Sequence, residues 1–338
     1  MNKNPRFSVI IPLYNKAHTI LRTLNTVLCQ TYTDFEIVII DDGSTDNGAQ
    51  IIESSLKDAR VNIVRQNNKG VSAARNRGVK ESKGDYIAFL DADDEWLPSY
   101  LEKVVEAIEK FPCHAIYNVP ALHRNIETGF GLYIVIKKYA NKIVELDMFD
   151  CPFKICSQSS GIIANRDAFY KLFENYKGHG FPEDQHYNED MVCYFTLGLF
   201  GKCVYVGYPL SIRNNNVKGQ LTGDVGAKYT NRILNETLPY INKLYANYKI
   251  YGKMNEKVER FIRWDTRNQI SCICKSYDKE YLHNFLKGLD EDLVKKLFSK
   301  VEMFFYEKCN SLTLCRLLTK ILRLRWHFKS ISIKMWTY

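Results

Sequence analysis

Phe35-Glu-Ile-Val-Ile-Ile-Asp-Asp-Gly-Ser-Thr-Asp46 is the stretch on which the fold turns. Phe35 to Ile40 is short, β-branched and apolar but for Glu36, the composition of a strand covered on both faces. It stops on two carboxylates and a Gly-Ser turn signal. Working outward, Phe7 to Ile11 repeats the apolar run upstream, and Ala17, Ile20, Leu21, Leu24, Val27 and Leu28 between the two recur at helical spacing. Downstream, the pattern predicts a helix from Ala49 to Leu56, a strand from Val61 to Val64, a helix from Ser72 to Glu81 and a strand from Tyr86 to Leu90. Pro98 then stands in the first turn of a helix carrying Leu101, Val104, Val105 and Ile108. Strand-helix alternation of this kind predicts an α/β fold, a doubly wound, mainly parallel sheet with helices on both faces.

Beyond residue 113 the rhythm loosens. Ala115–Val119, Tyr133–Ile136, Gly161–Ala164 and Cys203–Val206 read as strands, and Met191–Phe200 as a helix. From about Gly226 onward the spacing is helical, which sets an expected boundary near 220 and a mostly helical C-terminal region over 221–338. The 338 residues are 46% hydrophobic and 25% charged, as in a water-soluble globular protein. No run approaches the roughly 20 apolar residues of a membrane span, and Phe7–Leu13 is too short for a secretory leader. The expected location is therefore the cytoplasm. Cys29, Cys193, Cys203 and Cys315 sit in apolar runs and read as free core thiols, and His114, His179 and His186 lack metal-ligand spacing. The net charge of +9 is concentrated at the end: no acid follows Glu307, while Lys308, Arg316, Lys320, Arg323, Arg325, Lys329 and Lys334 do.

In an open parallel sheet, ligands bind beyond the carboxyl ends of the strands. Pro12-Leu-Tyr-Asn15, Asp41-Asp-Gly-Ser-Thr-Asp46 and Asp91-Ala-Asp-Asp94 each follow a strand directly, so three strand ends bring polar and acidic groups to one rim. A single Asp-Gly-Ser cluster is ordinarily a turn with an N-cap. Two on the same edge suggest more. Asp91 and Asp93 crowd charge that a cation must offset, and hard oxygen ligands suit Mg²⁺ or Mn²⁺ shared with substrate phosphates. No GxGxxG and no Walker loop follows the first strand.

At these residues the chain resembles family 2 glycosyltransferases. Ser8-Val-Ile-Ile-Pro-Leu-Tyr-Asn15, Ile39-Ile-Asp-Asp-Gly-Ser-Thr-Asp46, Gly70-Val-Ser-Ala-Ala-Arg-Asn76 with Gly78, and Phe89-Leu-Asp-Ala-Asp-Asp94 are similar to that family's motifs in order and spacing. The resemblance implies a GT-A fold over 1–220, with a nucleotide-binding half (1–120) and an acceptor half (121–220), and a nucleoside diphosphate sugar as donor, often UDP-linked. It implies that Pro12 and Tyr14 line the base and ribose pocket with Asn15 beside them, that Asp42 accepts hydrogen bonds from the base, and that Gly70 and Arg75 lie near the nucleotide. Asp91 and Asp93 become the metal motif, Asp93 the preferred direct ligand. Asp94 reads as an N-cap for the helix that follows.

The same resemblance implies a catalytic base in an acidic pair that opens a later helix. Glu189-Asp190-Met-Val-Cys-Tyr-Phe fits, with Asp190 as the base and a helix N-terminus favouring its carboxylate form. Glu183-Asp184 is the rival pair, and simple capping by Glu189 and Asp190 the plain alternative. Arg213, in Ile212-Arg-Asn214, occupies the region where the family often closes an arginine over the diphosphate, but the usual preceding tyrosine is missing. Leu312, Leu314, Leu317, Leu318, Ile321, Leu322 and Leu324 stripe one helical face beside the cations of 308–338. That suits either peripheral attachment to an anionic membrane surface or a helix docked on its own domain; no nucleic-acid module accompanies the charge. The expected activity is inverting transfer of the sugar to a saccharide or lipid-linked saccharide in cell-surface polysaccharide assembly. A nucleotidyltransferase and a non-catalytic nucleotide-sugar-binding protein are the alternatives.

Overall fold

The computed structural model describes residues 6–125, 131–150, 158–175, 180–185, 188–215, 217–218, 233–252, 255–309, 311–324 and 333–337. The chain divides into two compact units, 1–224 with 331–338, and 225–330. The expected boundary near 220 falls within 219–232, outside the described residues.

The first unit is built on an eight-stranded sheet of order β3-β2-β1-β4-β10-β6-β11-β9. β1 (Phe7–Leu13) is central, with Phe7, Val9, Ile10, Ile11 and Leu13 wholly buried. Parallel to it run β2 (Phe35–Asp42) on one side and β4 (Tyr86–Phe89) on the other, with β3 (Val61–Gln66) outside β2. The chain leaves β1 in one direction and reaches β4 in the other, and that reversal opens a crevice at the carboxyl ends of the strands. Helix α1 (Ile20–Leu28) buries Ile20, Leu24 and Val27, the i, i+4, i+7 stripe, on this sheet. The other crossover helices are α2 (Gly48–Ser55), α3 (Val71–Glu81) and α4 (Tyr100–Lys110).

Beyond β4 the parallel run is broken. β6 (Ile116–Asn118) and β11 (Cys203–Val206) are parallel to each other, but β10 (Ile162–Asn165) lies antiparallel between β4 and β6, and β9 (Ile143–Leu146) is antiparallel to β11. Gly161 permits the close entry of β10: a Cβ there would stand 2.3 Å from the Val119 carbonyl oxygen.

A second sheet of five strands, order β13-β8-β7-β12-β5, was foreseen only at β8 (Gly131–Ile136). β5 (Glu95–Trp96), β7 (Ala121–Asn125) and β12 (Ser211–Asn215) are short and polar, without the alternation that marks a strand. β13 (Ile333–Thr337) adds one strand to the otherwise mostly helical C-terminal region and pairs antiparallel with β8. β5 follows Asp94 directly, so this sheet fixes the acidic loop from behind.

Between β10 and β11 lie α5 (Arg166–Asn175) and α6 (Glu189–Leu197). The second unit carries α7 (Leu238–Ile250), α8 (Glu256–Ser276), α9 (Lys279–Gly288), α10 (Glu291–Leu297), α11 (Lys300–Lys308) and α12 (Leu312–Leu324). Asn255, Asp278, Asp290 and Ser299 cap helix starts with side-chain bonds to backbone N–H groups. α8 packs on α9 and α12, and Arg267 on α8 makes a buried two-point pair with Glu302 at 2.8 and 2.7 Å. No helix of the described residues is long and apolar enough to cross a membrane. Residues 325–332 of the basic tail, with Arg325, Trp326, Phe328 and Lys329, lie outside them, as do His179 and His186.

Candidate active site

Two consecutive residues of the loop after β1 tie the strand-end loops together. Asn15, at φ 53°, presents Oδ1 to the backbone N–H groups of Thr45 at 2.8 Å and Asp46 at 3.3 Å. Its own N–H donates to Ser44 Oγ at 3.2 Å. Asn tolerates the left-handed region better than most residues, so the chain turns sharply there and sends the Lys16 side chain to the other flank. Lys16 Nζ meets Asp93 Oδ2 at 2.7 Å. Asn15 therefore orders the rim; Pro12 beside it is half-buried and Tyr14 is exposed at the open edge.

Asp42 is buried at the end of β2. Its Oδ1 accepts from Gln66 Nε2 at 2.7 Å and the Lys69 N–H at 2.9 Å, and its Oδ2 accepts from the Gly70 N–H at 2.8 Å. A carboxylate has about four acceptor positions, so Asp42 shapes the third loop and still keeps one for a ligand. Gly70 opens α3 at φ 89°, and a Cβ there would meet nothing within 4 Å: the space beside it is open.

The acidic loop 91–95 is held on all sides. Thr19 and Thr23 hydroxyls donate to the Ala92 carbonyl at 2.8 and 3.0 Å. Asn214 on β12 donates its N–H to Asp94 Oδ1 at 3.0 Å and its amide to the Asp93 carbonyl at 2.6 Å. Ser160, just before β10, accepts from the Asp91 N–H at 3.1 Å and donates to Asp94 Oδ2 at 2.6 Å. Asp94 does not cap α4, whose N-cap is Ser99. It is a buried carboxyl whose pKa is driven well above the ordinary range, first by burial and then by Asp91 and Asp93. Glu95 pairs with Arg22 and Arg124.

Arg75 joins this loop to the acidic pair on α6. Only 4% exposed, it gives Nη2 to Asp91 Oδ1 and Nη1 to Glu189 Oε1, both at 2.9 Å, with its guanidinium 5.4 Å from the Phe181 ring centroid. Burial opposes its charge, but attraction to Asp91 and Glu189 outweighs that and raises its pKa. Glu189 is also buried; desolvation first, then Asp190, push its pKa up to about 7 against the pull of Arg75. Asp190 is half-buried, with Oδ1 accepting from the Met191 N–H at 2.8 Å and Oδ2 3.5 Å from Ser159 Oγ. The rival pair is placed differently. Glu183 and Asp184 are exposed, and Asn76 holds their segment, donating to the Phe181 carbonyl at 2.8 Å and Glu183 Oε1 at 2.9 Å.

The raised Glu189 pKa sets a pH dependence. Between its ordinary 4.5 and about 7, the folded state keeps a proton that the unfolded chain has lost. That contribution, on the order of 3 kcal/mol, is full below about pH 4.5 and is lost as pH rises through about 7. Asp94 acts in the same sense. Calorimetric melting temperatures are expected to fall from pH 5 to pH 7.5, and Glu189→Gln to flatten that fall by one proton's share; an unchanged slope would refute the assignment.

Arg213 lies on β12 beside His123 of β7. Asn214 faces the acidic loop, so Arg213, its neighbour on the strand, points to the opposite face. His123, buried near that cation, has its pKa lowered to about 4, by burial first and Arg213 second. Lys16, Ser160 and Asn214 were not singled out from sequence as site residues. Only the position of Lys16 directly after the Tyr14-Asn15 motif could have flagged it.

Among the described residues no three His, Cys, Asp or Glu side chains close around an ion. A divalent cation nevertheless fits the donor set. Among the described residues Asp93 Oδ1 and Asp91 Oδ2 carry no bond, while their partner oxygens face Lys16 and Arg75. Two such carboxylate oxygens, completed by diphosphate and water, suit Mg²⁺ or Mn²⁺.

Residues 8–173 match the family model for glycosyl transferase family 2. An uncharacterized glycosyltransferase of Rickettsia bellii is 28% identical over 245 residues, 72% of this chain and 33% of the relative. The Escherichia coli glycosyltransferase YibD is 42% identical over 106 residues, 31% of each chain. The chain thus spans about a third of the length of these curated relatives. The crystal structure of S. aureus TarS 1–349 in complex with UDP-GlcNAc superposes with a TM-score of 0.69 at 16% identity, covering 96% of this chain and 93% of that one, a likeness of fold. That architecture is GT-A, and residues 8–173 of the chain form a region similar throughout to glycosyl transferase family 2, as are the relatives that match it.

Proposed function

We propose that this chain is an inverting glycosyltransferase that moves a sugar from a nucleoside diphosphate donor, UDP-linked, to a hydroxyl of a saccharide or lipid-linked saccharide in cell-surface polysaccharide assembly. The observation that carries the reading is Arg75, which bonds at once to Asp91 of the acidic loop and to Glu189, 114 positions later, beside Asp190. Tyr14, the open space at Gly70 and the remaining acceptor position of Asp42 receive the nucleoside. Asp190 takes the proton of the acceptor hydroxyl. The acceptor oxygen then bonds to the anomeric carbon on the face opposite the diphosphate, whose bond to that carbon breaks, inverting the configuration. Asp93 and Asp91 would hold Mg²⁺ or Mn²⁺, which offsets negative charge on the leaving nucleoside diphosphate. Arg75 keeps Asp91 and Glu189 in place, and the N-terminus of α6 favours the anionic form of Asp190.

The UDP-GlcNAc in the TarS structure makes uridine the first base to probe. In a thermal-shift panel of UDP, GDP and CDP with their sugars, one base is expected to raise the melting temperature only when Mn²⁺ is present. Saturation at about 100 Kd adds about 2.7 kcal/mol, a shift of several degrees. No response to any nucleotide would refute the reading.

The chain is further proposed to work at the inner face of the membrane through α12. Leu314, Leu317 and Ile321, at i, i+3 and i+7, are 50%, 53% and 49% exposed, with exposed Lys320 among them. An apolar face edged with cations suits an anionic interface, each surface cation adding about 1 kcal/mol. Co-sedimentation with phosphatidylglycerol vesicles is expected for the wild type, and at least about a tenfold loss for Leu317→Glu/Ile321→Glu. Equal binding of the two would rule out this face.

A further inference from the structure

The acidic loop is electrically balanced by the protein itself. Asp91 faces Arg75, Glu95 faces Arg22 and Arg124, and Asp94 accepts from the Ser160 hydroxyl and the Asn214 N–H. Asp93 faces Lys16. That ion pair is tight and dry: Nζ to Oδ2 is 2.7 Å, and the two side chains are 11% and 10% exposed. The ammonium has a second contact, the Lys218 carbonyl at 3.3 Å, which leaves one of its three donors open among the described residues.

A divalent cation approaching Asp93 therefore meets a carboxylate that already has its counter-ion. The ammonium cannot simply leave. A nearly buried charge stripped of its partner is strongly unfavourable, and the Lys16 backbone is pinned by the Asn15 clip to residues 44–46. Only a new anion at the same rim would release it, and the diphosphate of the donor is such an anion.

We infer that Lys16 is the built-in counter-ion of the cation site, holding Asp93 against a divalent cation until a nucleoside diphosphate arrives to take its ammonium. Lys16 is thus a positioning residue that couples the two ligands: cation and nucleotide bind with positive cooperativity, and the nucleotide-free protein takes up the cation poorly. The inference rests on the proposed function, since it assumes a cation at Asp93 beside a diphosphate. A Lys16 that only staples the first loop to the fourth would lower stability on removal without improving cation affinity.

The test is Mn²⁺ binding, read as free Mn²⁺ by electron paramagnetic resonance, in full-length wild type, Lys16→Met and Lys16→Gln. Circular dichroism verifies folding, and Gln, which can still donate to Asp93, guards against collapse of the Met variant. Without nucleotide, both variants are expected to bind Mn²⁺ about tenfold tighter than wild type. Adding UDP is expected to tighten wild-type Mn²⁺ binding by about 10- to 100-fold, the range of ordinary coupling energies, and to tighten the variants about tenfold less, because the diphosphate still ligates the cation but has no ammonium to draw away. Folded variants that bind Mn²⁺ alone no tighter than wild type would overturn the inference and leave the proposed function standing, whereas wild-type Mn²⁺ affinity indifferent to UDP would overturn the inference together with the cation's part in the proposed function. A wild type that takes up no Mn²⁺ with UDP, GDP or CDP present would instead remove the cation reading and this inference with it.

Discussion

Replacing Asp190 with Asn is expected to lower kcat for sugar transfer by about three orders of magnitude, with donor affinity nearly unchanged. A positioned general base contributes about 10²- to 10⁴-fold, and Asn keeps the shape of Asp while losing its basicity. Asp190 suits the role because it is only half-buried, while its neighbour Glu189 is committed to Arg75. Its Oδ1 is fixed by the Met191 N–H at 2.8 Å, and among the described residues Oδ2 has only the long 3.5 Å contact with Ser159, which leaves that oxygen able to receive a proton. The left-handed Asn188 at φ 57° sets the chain at the start of α6. Single-turnover transfer separates chemistry from binding: a loss in kcat with KM unchanged marks an interaction made in the transition state. Asp184→Asn is the companion measurement. Exposed and on a segment organised by Asn76, Asp184 is expected to be replaceable with little effect. An active Asp190→Asn enzyme beside an inactive Asp184→Asn one would transfer the role to the earlier pair, and two active enzymes would favour a base elsewhere.

The half of the fold that could be read from sequence is the half made of buried parallel strands. β1, β2 and β4 are short, mostly apolar runs that end at Pro12, Asp41 and Asp91, and α1 carries an i, i+4, i+7 stripe; both signals are local. The second sheet is not local. Ser211-Ile-Arg-Asn-Asn215 is a strand because β7 and β5 flank it, and nothing within five polar residues says so. α6 starts at Glu189, where the family resemblance puts the opening of a helix; apolar spacing alone begins only at Met191, because acidic residues in a first turn resemble the loop before it. At the site, acids at strand ends are legible from their order in the chain, but which cation faces which acid is not. Arg75 and Arg77 share one polar helix and look alike in sequence; the fold buries the first between two carboxylates and leaves the second exposed, paired with Glu81 at 2.7 Å. Ser160 and Asn214 are small polar residues whose importance comes from chain segments 66 and 120 positions away from Asp94.

Arg75→Met is expected to destabilise the protein by about 3–5 kcal/mol, the usual result of removing one partner from a buried ion pair. Both acids lose by it. Glu189 is left in a low-dielectric setting beside Asp190, and Asp91 beside Asp93 and Asp94, each without its guanidinium. At roughly 2–4 °C per kcal/mol for a unit of this size, the melting temperature should drop by about 10 °C. Lys cannot substitute. Nη1 and Nη2 reach Glu189 and Asp91 at the same time, both at 2.9 Å, and a single ammonium lacks that planar fork, so Arg75→Lys should keep part of the stability and little of the activity. The diagnostic variant is the double one. If the loss comes from orphaned carboxylates, then Arg75→Met/Glu189→Gln, which neutralises one of them, should be more stable than the sum of the two single changes by about 1–3 kcal/mol. Simple additivity in denaturant melts would mean that Arg75 acts through packing against Phe181 alone, and the electrostatic bridge between the acidic loop and α6 would lose its basis.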